Sequence, residues 1–257
     1  MMWYMSLLRL NVYLAHAGLC SRRAADQLIK NGEITINHAV MTNPGYEVRE
    51  KDTVRHKKKV IKLGQNPLVT LVLNKPEGYI TSVTDEYNRP TVMDLVSVKS
   101  RVYPVGRLDY NTSGVLLLTN DGELAQILAH PKYQVKKVYL ITLSKDLSAE
   151  HLGMIQKGLH LHDGPIKVDS IECTDQKKRI KVAIHSGRNR IVRRIFEALG
   201  YTVRKLDRLN FGGISKKGLQ VGETRPLTET EVARLKNSEL AKRKSIKSIP
   251  TKKAVAK

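Results

Sequence analysis

Asp109 stands in the loop Gly106-Arg107-Leu108-Asp109-Tyr110-Asn111-Thr112-Ser113-Gly114, which leads directly into the apolar run Val115–Leu118. A carboxylate at the edge of a buried strand can act as nucleophile or as base, because the strand fixes it while the loop leaves it open to a substrate. Taken alone, a loop carboxylate is more often a turn or capping residue than a catalyst. A second chemical stretch is Ser186–Gly200, SGRNRIVRRIFEALG, where Arg188, Arg190, Arg193 and Arg194 crowd the start of a helical pattern. Such a cluster suits phosphate groups or a carboxylate. Tyr139, in Lys137-Val138-Tyr139, lies in an apolar strand, where a tyrosine is by default core. Other groupings fall short. His160-x-His162 offers two metal ligands without a third, and no nucleophile-elbow sequence surrounds His185-Ser186. Phe211-Gly212-Gly213 is not a phosphate-cradling loop. Cys20 and Cys173 are distant and form no CxxC pair, so neither a zinc site nor a disulfide scaffold is expected.

The elements that must position these residues fall into zones. Leu10, Leu14 and Ala17 share a helical face, and Ser21 is placed to cap a second helix, Arg22–Lys30, with Ala25, Leu28 and Ile29 inward. Asn31-Gly32 ends that helix. Ile34–Ile36 reads as a strand, Asn37-His38 as a turn and Tyr46–Val54 as the returning strand. Arg55–Lys62 and Gly64–Pro67 read as a basic linker. Beyond it, Leu68–Leu73, Val115–Thr119, Val138–Leu143 and Ile180–Ile184 have strand composition, while Leu124–Ala129, Ala149–Lys157 and Ile191–Leu199 have helical spacing. Strands outnumber helices and many are joined by turns, which predicts an α+β domain around a mixed sheet.

Lys and Arg total 45 against 24 Asp and Glu, a formal charge of +21, while 41% apolar residues supply a core. A positive excess of this size attracts polyanions, of which nucleic acid is the commonest inside cells. The apolar runs are too short to span a bilayer, and Met1–Leu8 has neither a basic n-region nor a small-residue cleavage site. A cytoplasmic protein without a membrane partner is the expectation, with translation starting at Met1 or Met5. The tail, Ala241–Lys257, has seven basic residues and no acidic one, so it is expected to be disordered.

Residues 8–54 resemble the S4 RNA-binding domain. The resemblance is carried by Arg9-Leu10, Ala17-Gly18-Leu19-Cys20-Ser21-Arg22-Arg23-Ala24, Leu28-Ile29-Lys30-Asn31-Gly32, Ile34, Ile36-Asn37 and Asp52. It implies RNA binding through Arg9, Arg22, Arg23 and Lys30. Relatives usually carry glycine where His38 stands.

Tyr103–Gly122, YPVGRLDYNTSGVLLLTNDG, resembles the signature of ribosomal RNA pseudouridine synthases through Gly106–Asp109, Thr112–Gly114 and Leu116–Asp121. Lys75-Pro76-x-Gly78, Lys137-Val138-Tyr139, the Arg-rich stretch, Phe211-Gly212 and Leu219–Thr228 extend it over roughly residues 8–236. The resemblance implies isomerisation of a uridine to pseudouridine, with Asp109 as the essential residue, Tyr139 against the target base and Arg193 paired with Asp109. Arg107, Lys75, Arg188, Arg190 and Arg194 are the expected substrate-binding residues. Where relatives carry Gln, this chain has Ile191. The reaction breaks a glycosidic C–N bond, turns the uracil and rejoins it through C5. No atoms are gained or lost, so it requires neither metal nor cofactor.

The architecture expected is a small N-terminal S4 (αL-type RNA-binding) domain, 8–54, a basic linker, 55–67, a mixed, largely antiparallel-sheet pseudouridine synthase domain, 68–236, and a basic tail, 237–257. The partner expected is ribosomal RNA, 23S ahead of 16S, or a ribosome assembly intermediate, bound by a monomer. The rival reading is a non-catalytic S4-type RNA-binding or assembly factor, for which a carboxylate among basic groups would have no physical use, since it repels phosphate.

Overall fold

The computed structural model describes residues 7–237. The basic tail, apart from Asn237, and the first six residues therefore lie outside the described residues. Two compact units emerge. The first runs to Val69 and includes Val98–Arg101 and Asn120–Gly122; the second holds Thr70–Ser97, Val102–Thr119 and the chain from Glu123 on.

In the first unit, helix Leu10–His16 precedes helix Arg22–Lys30, whose Ser21 cap accepts from the Ala24 amide at 3.1 Å. Their apolar faces bury Leu10, Leu14, Ala25 and Ile29 against Ile34, Ile36, Val48, Val54 and Ile61. The four-stranded sheet runs Ala39–Val40, Ile34–Ile36, Val54–His56, Lys59–Val60. The stretch expected to be a linker from Arg55 is therefore in part a hairpin. Its basic residues Arg55–Lys59 form the hairpin between Val54 and Ile61, whose backbones pair and whose side chains both join the core. The strand expected over Tyr46–Val54 is likewise two pieces. Glu47–Val48 pairs with Leu8–Arg9, and Val54–His56 pairs with Ile34–Ile36. Asp52 makes the break, accepting from the Arg49 amide, the Tyr46 hydroxyl and the Asn37 side chain. Asn37 and His38 both have positive φ, 51° and 73°, as a two-residue hairpin of the I′ kind requires, so His38 occupies the backbone region that glycine would fill without strain.

The second unit is built on a nine-stranded sheet. Its main path runs Ser170–Cys173, Arg179–Ile184, Lys137–Leu143, Val203–Phe211, Ser113–Thr119, Thr70–Lys75, Thr224–Pro226. Val203–Phe211 pairs in parallel with Ser113–Thr119, and the other strand pairings are antiparallel. Helices Gly122–Ala129, Ala149–Lys157 and Ile191–Glu197 accompany the sheet. Ser148 caps the second, accepting from the His151 amide. One face of the sheet buries Val72, Val115, Leu117 and Phe211 with Leu124, Ile127 and Leu128 of the first helix. The parallel junction depends on Gly114. At φ 106° it brings two backbones so close that a Cβ would lie 2.6 Å from the Arg208 nitrogen and nearer still to its carbonyl oxygen. Among the described residues, no helix is long and apolar enough to cross a membrane.

Candidate active site

A cleft in the second unit gathers four separate stretches of chain. Its floor is formed by Lys137, Tyr139, Leu206, Arg208 and Phe211 from two adjacent strands. One wall is the loop Val105–Asp109 with Thr112, and another is Ser186–Arg188 with Arg190, Ile191 and Val192. Asp109 and Tyr139, far apart in sequence, thus face one space.

The loop carrying Asp109 is held by its own backbone. The Leu108 carbonyl accepts from the Thr81 hydroxyl at 2.7 Å, and the Asp109 carbonyl from Lys75 Nζ at 3.2 Å. The Tyr110 carbonyl accepts from the Gly78 amide at 3.0 Å, Asn111 from Arg193 Nη2 at 2.6 Å and Thr112 from Lys75 Nζ at 2.9 Å. Every carbonyl from Leu108 to Thr112 is therefore bonded, and a loop so tied presents its side chain in one geometry. The Asp109 side chain remains 39% exposed, with Arg190 Nη1 3.9 Å from its carboxylate.

Several expected roles change. Lys75, expected to bind substrate, is fully buried and spends its ammonium on the carbonyls of Pro76, Asp109 and Thr112. Burial pushes its pKa down to about 8, against the pull of Glu77 and Asp109. Arg193, expected against Asp109, instead joins the Asn111 carbonyl to that of Val203 at 2.9 Å. Its place one turn into the helix directs it under the loop, whereas Arg190, at the helix start with φ 46°, points into the cleft. Arg188 and Arg194, expected at phosphates, both meet Asp163, in the turn between strands Leu159–Leu161 and Gly164–Ile166. Arg107 is exposed and has no partner among the described residues. Ile191 is buried and lines the cleft, as an apolar surface where a glutamine would offer hydrogen bonds. In the first unit, Arg9, Arg22, Arg23 and Lys30 are all exposed.

Two floor cations were not singled out from the sequence. Arg208 is 3% exposed, donates through Nε to the Val115 carbonyl at 2.7 Å and lies 4.7 Å from the Phe211 ring centroid. Its Nη2 is buried with no hydrogen-bond partner among the described residues. Lys137 donates to the carbonyls of Val135 and His185, and burial with the nearby Arg208 lowers its pKa to about 8. Among the described residues neither makes an ion pair with a carboxylate, so the floor holds fixed positive charge in a poorly solvated place, suited to stabilising negative charge above it. The one sequence signal for Arg208 was a charge in phase with the inward Leu206 of the same strand.

The family described as RNA pseudouridylate synthase matches residues 69–198, and the S4 domain matches residues 8–54. The chain is 40% identical over 234 residues to the ribosomal large subunit pseudouridine synthase B of Bacillus subtilis (strain 168), covering 89% of this chain and 95% of that protein. It is 36% identical over 233 residues to an uncharacterized RNA pseudouridine synthase of Aquifex aeolicus (strain VF5), covering 88% and 93%. A crystal structure of a pseudouridylate synthase superposes with a TM-score of 0.64 at 26% identity, over 89% of this chain and 99% of that one.

Proposed function

The chain belongs to the RNA pseudouridylate synthase family and carries an N-terminal S4 domain, and we propose that it isomerises a uridine of large-subunit ribosomal RNA in the cytoplasm with Asp109 as its catalytic residue. The observation that carries this reading is the placement of the Asp109 carboxylate, on a loop whose carbonyls from Leu108 to Thr112 are all bonded, beside a floor holding Tyr139, buried Arg208 and half-buried Lys137. The choice of large-subunit RNA rests on likeness to the Bacillus subtilis enzyme, which is named for that subunit.

The chemistry follows from these positions. The uridine must leave its stack, at a cost of a few kcal/mol that is least in loops and single strands. Exposed Arg9, Arg22, Arg23 and Lys30 of the S4 domain, with Arg107 beside the cleft, offset this by binding phosphates. Tyr139 presents a ring to the extruded base. The Asp109 carboxylate then acts at the sugar, as nucleophile on C1′ or as base. The N1–C1′ bond breaks, uracil turns and C5 bonds to C1′, displacing the carboxylate where it acted as nucleophile or with the ribose taking its proton back where it acted as base; the C5 proton leaves and N1 is protonated. Negative charge developing on the detached uracil meets the Arg208 and Lys137 floor, while Arg190 opposes the carboxylate. Arg193 and Lys75 act as positioning residues, through the Asp109 loop.

Ribosomal RNA tritiated at uridine C5 tests this directly, because the new C–C bond must expel that tritium. Release by the wild type and none by Asp109→Asn, with RNA binding retained in both, is expected. Tight binding by the wild type without release, from naked RNA and from assembly intermediates, would replace the proposal with a non-catalytic assembly role.

A further inference from the structure

Among the described residues, the aromatic rings most open to solvent are Tyr87, 76% exposed, and Tyr110, 51% exposed. The chain is poor in aromatics, at 5% of residues, so two bare rings on loops joined by the Thr81–Leu108 and Gly78–Tyr110 hydrogen bonds need a reason. Tyr110 follows Asp109 directly, and its backbone is fixed by the Gly78 amide at 3.0 Å. Tyr87 lies on the preceding loop. That loop is closed at its base, where the Ile80 amide donates to the Pro90 carbonyl and the Val92 amide to the Ile80 carbonyl, both at 2.9 Å.

Arg89 lies over the first of these rings. Its Cζ lies 5.0 Å from the Tyr87 ring centroid, and the phenols of both Tyr87 and Tyr110 act on its charge. Arg89 is not free to leave. Asp85 grips it in a bidentate pair, Nε to Oδ2 at 3.0 Å and Nη2 to Oδ1 at 2.8 Å. The same Oδ2 accepts from the amides of Tyr87 and Arg89, so one carboxylate fixes the guanidinium and the backbone bearing the tyrosine. The guanidinium covers one face of Tyr87 and leaves the ring largely solvated. No core packing explains such a preorganised stack, which has already lost the freedom that binding would otherwise take away.

We propose that Tyr87, backed by Arg89 and neighboured by Tyr110, is a stacking platform for an unpaired nucleobase of the RNA next to the target uridine. The chemistry of recognition is the π-face shared by all bases, reinforced by the cation behind the ring, so the site takes single-stranded RNA with little preference for base identity. This rests on the reading of the cleft as a uridine-modifying site. The platform holds a flanking nucleotide after the helix around the target has opened, which lowers the cost of keeping the uridine extruded.

The test uses the full chain carrying Asp109→Asn, so that fluorescence reports binding without turnover and does not depend on the catalytic role of Asp109. The probes are short single-stranded oligoribonucleotides with one uridine flanked on its 5′ or 3′ side by 2-aminopurine, whose emission is quenched on stacking. Quenching on one of the two sides is expected. Tyr87→Ala in that background removes the quench and weakens binding roughly tenfold, as loss of one base–aromatic stack does, while Tyr87→Phe retains both. In the active protein, Tyr87→Ala raises KM and leaves kcat at saturating RNA unchanged. No quench with the parent protein on either side, or the same quench with Tyr87→Ala, overturns the proposal. Since Tyr87 is exposed, an unchanged melting temperature separates this effect from misfolding. Tritium release that vanishes with Asp109→Asn while 2-aminopurine is never quenched would leave the catalytic reading standing and remove the platform alone.

Discussion

Lys75→Met distinguishes what the motif suggests from what the structure shows. Methionine keeps the unbranched apolar stem and removes the ammonium that joins three carbonyls. The Asp109 carbonyl keeps a second donor, the Thr112 amide at 3.1 Å, but those of Pro76 and Thr112 lose Lys75. Each unpaired buried acceptor costs about 1–3 kcal/mol. Part of this is offset, because the variant no longer buries a charge, a penalty visible in the Lys75 pKa of about 8. The expected net loss is about 2–4 kcal/mol, or roughly 5–15 °C in melting temperature for a domain of this size. Function should suffer more than stability. The loop bearing Asp109 loosens at two of its ties, and a displacement near 1 Å at a reacting group costs on the order of 100-fold in rate. Tritium release measured well below the variant's melting transition should therefore show kcat reduced by one to two orders of magnitude with KM for RNA nearly unchanged. A raised KM with full kcat would mean that Lys75 meets the substrate, and would refute the loop-anchoring argument.

Two further outcomes follow from the same geometry. Gly114→Ala places a methyl group into the backbone of Arg208 at a φ of 106°, so strain and overpacking together should cost about 2–5 kcal/mol; calorimetry should show a fall in melting temperature, together with lost tritium release because Arg208 and the Asp109 loop separate. Lys137 has its pKa depressed from 10.5 to about 8 by burial first and Arg208 second, so between those values the unfolded chain binds more protons than the folded one, and folding gains stability as pH rises. The melting-temperature advantage of wild type over Lys137→Met should thus widen from pH 8 to pH 10, and a constant difference would show that Lys137 keeps its ordinary pKa in the folded protein.

Much of this was legible in the residues. The first two helices, the Ser21 cap and the strands around Ser113–Thr119 and Lys137–Leu143 follow from apolar spacing and capping chemistry, which act within a few residues. Their ends moved only slightly. The central strand of the large sheet, Val203–Phe211, was not read from VRKLDRLNF. Charges interrupt its apolar alternation because Arg208 faces the cleft, and register shifts against Lys137–Leu143 break the phase. The hairpin hidden in RHKKKV was missed for a similar reason, since three exposed lysines outweighed the inward Val54 and Ile61 that flank it.

The sequence by itself determined the family and singled out Asp109 as the candidate carboxylate, because a short motif holds the loop, its turn and the following strand together along the chain. Partners joined across the sheet were decided by the tertiary structure alone. Arg190 rather than Arg193 stands against Asp109, Lys75 and Arg193 serve backbone carbonyls, and Arg208 and Lys137 form a charged floor. These are outcomes of strand order and of the angle at which the Ile191–Glu197 helix meets the loop. A hydrogen bond depends on direction to within a fraction of a turn, and residue spacing fixes direction only inside one element.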